Sequence, residues 1–175
     1  MLVILVPDDV DPVPDSSLGE RYVVLTVQPR VPAGSLAMVE LPAGMVDDGT
    51  FVGAAAKEIH EELGLEINQK DLVCLSDMAR PADEAKGGKG EDLPLAMYPS
   101  CGGCDEHVTI FMHERKVPRS QLKEWTGKLT GLRDHGEKIT LKLVPMRDLW
   151  REGSRDGKCL SAVALWEGLR REGKL

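Results

Sequence analysis

No apolar run in this 175-residue chain approaches the twenty or so residues a membrane-spanning helix requires. The longest at the N-terminus, MLVILV, stops at Pro7 with no basic residue before it, so it is neither a convincing signal peptide nor an anchor. Basic residues are also scarce: 22 Lys and Arg face 29 Asp and Glu, a net charge of −7. That balance argues against a nucleic-acid backbone or an anionic membrane as the main partner, because both attract a basic surface. An anionic substrate would then need a local remedy, either a metal ion or a few placed arginines. Cysteine is limited to Cys74, Cys101, Cys104 and Cys159. Without a secretion signal, these read as reduced thiols of a cytoplasmic protein and not as a disulfide framework. Long low-complexity tracts are absent, and 42% of residues are hydrophobic, which fits one compact domain over residues 1–175.

What is present divides into strands and helices without the regular alternation of a doubly wound sheet. Residues 1–6, 21–28 (RYVVLTVQ), 36–41, 72–75, 107–113 (HVTIFMH) and 139–144 read as strands, with a turn at 32–34. Helices are expected over 51–63, 119–125 and 160–171, the first and last with apolar residues at three-four spacing. Thr50 is placed to cap the first helix, and Gly64 to close it with positive φ. The polar stretch 79–92 reads as a mobile loop. The class is α+β, without an internal repeat.

The helix over 51–63 carries the chemistry. Glu58, Glu61 and Glu62 fall on one side of it, while Ile59 and Leu63 face the core. Like charges so placed repel, and a hard divalent ion is a natural relief. Mg²⁺ or Mn²⁺ prefers carboxylate oxygens and keeps waters that a phosphate-bearing substrate can displace. A solvated acidic helix face is the bland alternative. Against it stands the context: a glycine-bearing loop, PAGMVDDG, precedes the helix, and Gly-Leu ends it directly after the glutamates.

The stretch GMVDDGTFVGAAAKEIHEELGL resembles the Nudix box: a glycine, an acidic spacer, then Arg-Glu-apolar-any-Glu-Glu-any-Gly-apolar. Lys57 stands where the arginine is usual, keeping the charge but losing the fork. Gly49 replaces the first glutamate, and Gly44 sits one residue closer than the standard spacing. ELPAG at 40–44, VQPRVPAG at 27–34, YPSCGGCDE at 98–106 and TGLRDHGEKITLKLVP at 130–145 are similar to the branch that hydrolyses nucleoside diphosphate sugars.

That resemblance implies an α/β/α sandwich around a mixed sheet and a homodimer in which an N-terminal strand region helps form the base site. This chain begins directly in its first strand, so it is either a short form or lacks residues upstream. The resemblance also implies Mg²⁺ (or Mn²⁺) held by Glu58, Glu62, Glu137 and the Ala43 carbonyl, with Glu61 assisting. Arg30 would contact phosphate, though Val27 stands where a glutamate is common. Gly44, Ser100, Gly102 and Gly103 would line the substrate, with Cys101 where a proline is often found. Glu137, His135 and Glu106 are the candidates for general base, in that order. Trp125, Tyr98 and Trp150 could stack on a base, although packing explains each as well.

Two other readings compete. CGGC at 101–104, followed by His107, suggests redox or zinc chemistry, but a thioredoxin-like pair should open a helix and a structural zinc site wants four ligands. With Lys57 and Gly49 at box positions, the alternative is a chain that binds nucleotides without hydrolysing them.

Overall fold

The computed structural model describes residues 1–10, 19–44, 66–80, 93–131 and 138–175. The helix expected over 51–63 and all but the start of the loop expected over 79–92 lie outside them.

β1 (Leu2–Pro7) is an uninterrupted apolar run because it is buried on both faces. Leu2 and Ile4 point into one core, with Trp166, Leu169 and Leu149; Val3 and Leu5 point into the other, with Trp125, Ile139 and Leu141. Around it the described residues form a seven-stranded sheet in the order β4-β5-β1-β2-β7-β6, with β3 joined to β2 off that path. The strands are β2 (Tyr22–Arg30), β3 (Ser35–Glu40), β4 (Val73–Cys74), β5 (Phe111–Val117), β6 (Leu129–Thr130) and β7 (Ile139–Pro145). β1 and β5 run parallel from Leu2↔Met112 to Pro7↔Val117, and every other pairing is antiparallel, so the sheet is mixed as expected.

β2 gives one edge to β7 through Tyr22–Val27 and divides the other between two strands. Near its start it pairs with β1 (Ile4↔Val23); near its end it pairs with β3 (Thr26↔Glu40). The register slips between Gln28 and Arg30, at Pro29, which has no N–H to give to a ladder. The turn that follows, Val31–Ala33, closes on Gly34 at φ 65°, a left-handed conformation that favours glycine. The chain thus leaves β3 at a fork in the sheet, and the Met1 nitrogen donates to the Pro42 carbonyl across it.

Helices cover both faces. α1 (Leu75–Met78), α3 (Leu149–Glu152) and α4 (Gly157–Arg171) lie on the Leu2 side, and α2 (Arg119–Trp125) on the Val3 side. α4 buries Cys159, Ala162, Trp166 and Leu169, the three-four spacing of one apolar face. At the surface, Arg119 at the start of α2 bonds both Asp9 and Glu20, and this holds the Glu20 carboxyl down at about 2.

Several elements differ from the sequence expectation. The strand expected over 107–113 begins only at Phe111; before it, Val108 makes an isolated bridge to Met97. The reason is local: the Ile110 carbonyl accepts from the Leu75 and Ser76 N–H groups, and its own N–H donates to Ser76 Oγ. Ile110 therefore meets the first turn of α1 and not a ladder. The strand expected over 72–75 shortens to β4 because Leu75 already starts α1. α4 starts at Gly157, three residues ahead of the expected 160, behind its cap Asp156.

α3 and α4 meet closely at Gly153, whose φ of −99° any residue could adopt. Space is the constraint there. A Cβ at Gly153 would lie 2.4 Å from Cys159 Sγ and 2.7 Å from Cys159 Cβ. Gly153→Ala should therefore destabilise the fold by about 1–3 kcal/mol, the usual cost of forced overpacking. A chemical-denaturation midpoint equal to wild type would show that α3 and α4 can part without cost.

Candidate functional site

The end of β3 is held by a cluster of buried charge. Glu40 is 4% exposed and Asp156 5% exposed. Arg30 Nε donates to Glu40 Oε1 at 2.7 Å, and Lys158 Nζ reaches Glu40 Oε2 at 3.2 Å and Asp156 Oδ1 at 2.9 Å. Two cations thus balance two carboxylates. A buried pair of this kind adds little net stability, yet removing one partner strands a charge at about 3–5 kcal/mol.

Asp156 does more than pair with Lys158. Its Oδ1 accepts from the Lys158 N–H at 3.0 Å, capping α4, and its Oδ2 accepts from the Leu41 N–H at 2.8 Å, 115 residues away in sequence. The Glu40 carbonyl accepts from Thr26 Oγ1 at 3.3 Å. These bonds tie residues 40–42 to β2, to α4 and to Met1 in turn. Burial alone would pull the Lys158 ammonium down, but Asp156 and Glu40 outweigh it and raise its pKa. Burial, followed by the Asp156 charge, pushes the Cys159 thiol up to about 12.

Beyond this cluster the chain continues through Ala43, half-buried, to Gly44, exposed. Among the described residues no hydrogen-bond donor reaches the Ala43 carbonyl. A carbonyl oxygen is a hard donor of the kind Mg²⁺ and Mn²⁺ accept. The other implied ligands, Glu58, Glu62 and Glu137, lie outside the described residues, as do Glu61 and His135. Among the described residues, no group of three or more His, Cys, Asp or Glu could hold a metal.

Arg30 stands at the fork as well, with its side chain 44% exposed and one face committed to Glu40. The substrate loop expected from YPSCGGCDE is a ten-residue excursion, 98–107, closed by reciprocal Met97 and Val108 backbone bonds of 2.9 and 2.8 Å. Its tip is a tight turn in which the Ser100 carbonyl accepts from both Gly103 and Cys104 N–H groups at 2.9 Å. Ser100, Gly102, Gly103 and Glu106 are all exposed. A Cβ at Gly102 would meet nothing within 4 Å. Neither loop glycine has positive φ, so backbone geometry alone does not require them. All four cysteines are free thiols, and no helix follows the CGGC turn.

Of the three candidate stacking rings, Trp125 is core, 4% exposed; Trp150 is 57% exposed beneath Arg151, and Tyr98 lies 5.9 Å from the His107 ring. The sequence reading missed Asp156 and Lys158. Asp156 just before an apolar-periodic helix is an N-cap signal, but nothing in the sequence links it to Leu41.

The described part of the candidate site is thus a strand end pinned by buried charge, with Arg30 beside it. Residues 14–163 match the NUDIX domain family model. The chain is 41% identical to Nudix hydrolase 14, chloroplastic, of Arabidopsis thaliana over 157 residues, 89% of this chain and 47% of that protein. It is 40% identical to putative nudix hydrolase 2 of Caenorhabditis elegans over 63 residues, 34% of this chain and 28% of that one. The chain belongs to the Nudix family. It spans about half the length, or less, of these relatives. No helix among the described residues is long and apolar enough to cross a membrane.

The buried cluster sets a pH dependence. In the unfolded chain the Cys159 thiol titrates near 9.0, and in the folded protein at about 12. The folded state then holds the proton more tightly, so stability is full below pH 9.0 and falls as pH rises toward 12. Lys158, also raised, acts in the same direction. The urea midpoint should decline from pH 9.0 upward, and Cys159→Ala should flatten the first part of that decline. Parallel curves for the two proteins would refute the assignment.

Proposed function

We propose that this chain is a metal-dependent diphosphatase of nucleoside diphosphate sugars, of the ADP-glucose, UDP-glucose or ADP-ribose type. The observation that supports this reading is the strand end 40–44, held by buried charge and including the Ala43 carbonyl, which no donor among the described residues reaches. Water adds to one phosphorus, the bridging P–O bond breaks, and the products are a nucleoside monophosphate and a sugar phosphate. Glu58, Glu61, Glu62, Glu137 and the Ala43 carbonyl would hold Mg²⁺ or Mn²⁺, which when bound neutralises the diphosphate and makes water more acidic.

The remaining work falls to the chain's own side chains. Arg30, half-exposed, would contact a phosphate oxygen, while Glu40 restrains where its guanidinium can point. Glu137, His135 and Glu106, in that order, are the candidates to take the proton that the attacking water loses; of these, Glu106 is exposed on the loop 98–107. Ser100 offers a hydroxyl to the sugar, and the space over Gly102 admits a ligand close to the backbone. Gly103 has its N–H committed to Ser100, so its part is to shape the turn. Gly44 allows the chain to pass close to the diphosphate. Positioning and charge stabilisation account for most of the rate in phosphoryl chemistry, so such a site needs little else.

The chain would act as one domain, as a homodimer, in a soluble compartment. The cytoplasm is the expectation from the sequence, and one relative is named chloroplastic. Neither nucleic acid nor membrane is a partner in this reading.

With Mg²⁺ or Mn²⁺, purified protein should hydrolyse one of ADP-glucose, UDP-glucose, ADP-ribose or GDP-mannose, and Glu62→Gln should lower kcat by about a hundredfold or more, as loss of a principal electrostatic group does. Phosphate release assays on the panel check both. An intact panel with nucleotides still bound would make the protein a Nudix-fold binding module instead.

A further inference from the structure

We propose that Cys101 and Cys104 are a redox-responsive modification site: an intramolecular disulfide between them, formed by exchange with a small-molecule disulfide and reversed by thiols, stiffens the tip of the loop 98–107. The thiol chemistry stands apart from the hydrolase reading. Only its consequence for substrate, through the loop that contacts substrate in that reading, rests on it.

Of the four free thiols, Cys101 and Cys104 are exposed, while Cys74 is half-buried and Cys159 buried. The thiolate is the attacking form in exchange, and burial keeps the Cys159 thiol protonated, so Cys159 takes no part. The loop tip brings the exposed pair together. The Ser100 carbonyl accepts from the Gly103 N–H and the Cys104 N–H, both at 2.9 Å, the three- and four-residue spans of a single helical turn. Residues three apart in such a turn share a side, with Cβ atoms about 5–6 Å apart, and a disulfide closes them to about 3.5–4.5 Å. Gly102 and Gly103 between them carry no side chain to resist that closure, the space over Gly102 is open, and the loop is tied at its base by Met97 and Val108. No helix follows the turn, which separates the pair from thioredoxin-like catalysts and leaves it the simpler role of a switch. The exchange balances in two steps. One cysteine thiolate attacks the small disulfide, forming a mixed disulfide and releasing one small thiol; the other thiolate attacks the protein sulfur of that mixed disulfide and releases the second. Two protein thiols lose two electrons and two protons in all, and the small disulfide gains them.

The test treats the full chain with oxidised glutathione and reads it by thiol counting and intact mass. Free thiols should fall from four to two, the mass should drop by two hydrogens with no glutathione retained, and dithiothreitol should restore both. Peptide mapping should place the bond between Cys101 and Cys104. In the oxidised form, hydrogen exchange at the Gly103 and Cys104 N–H groups should slow by about tenfold, the order that closing so short a loop gives. Cys104→Ser should stop at the first step and keep one glutathione on Cys101, whereas Cys74→Ser should oxidise as wild type does. A wild type that keeps all four thiols, accumulates mixed disulfides, or pairs Cys101 or Cys104 with another cysteine or another chain would overturn the proposal. So would unchanged exchange at the loop tip after oxidation. None of these readouts needs turnover, so a protein that oxidises in this way but leaves every diphosphate intact would sink the hydrolase reading alone.

Discussion

The buried carboxylate of Asp156 is the constraint on which this end of the molecule depends. An ionised group 5% exposed survives only if donors surround it, and here they come from three directions: the Leu41 N–H, the Lys158 N–H and the Lys158 ammonium. Each donor belongs to something that must be kept in place. One is the strand end leading to Ala43; the other two are the first turn of α4 and a cation shared with Glu40. Because the desolvation of the carboxylate is offset only when all of them are present, the three are coupled. The sheet, the C-terminal helix and the exit from β3 therefore adopt one arrangement.

That coupling makes sense of the fork in the sheet. β2 pairs first with β1 and then with β3 along the same edge, so the chain leaving β3 emerges between two strands with no ladder partner to continue along. Such an exit would ordinarily be loose, since free backbone groups there would turn to water. Side chains take over where the ladder stops: Thr26 for the Glu40 carbonyl and Asp156 for the Leu41 N–H. Rigid placement without regular pairing is what a ligand-presenting backbone needs, and a regular strand would have consumed its carbonyls.

How much of this was legible in the sequence follows from the range of each interaction. β1, β2, β3, β7 and α2 were readable because burial on a sheet face or a helix stripe leaves a short-period signature in the residues themselves. The strand read at 107–113 failed for the opposite reason: HVTIFMH has strand chemistry, but Ile110 is captured by the start of α1, a contact 34 residues away. Leu75 likewise reads as strand and folds as helix. For the site, Ala43 and Arg30 were singled out by their motif, while Asp156, Lys158 and the pairing of Glu40 were not. Glu40 lies inside ELPAG, yet its partner Lys158 is 118 residues on, and no local pattern announces a contact of that range.

The two parts of the candidate site differ in how they are held, and the difference bears on specificity. Around Glu40 nearly every polar group is paired and buried, so substitution there is costly and the geometry has little freedom to vary. The loop 98–107 is closed by only a single bridge, and its tip rests on two bonds to one carbonyl, with Ser100 through Glu106 in solvent. Glycines at 102 and 103 are not demanded by φ, and the space over Gly102 is open. On the proposed reading, such a glycine would leave room for a ligand surface that a Cβ would obstruct. Under the proposed function, discrimination among sugars and bases would belong to this lightly held loop. The attack on the diphosphate, common to every such substrate, would then belong to the strand end that buried charge keeps still.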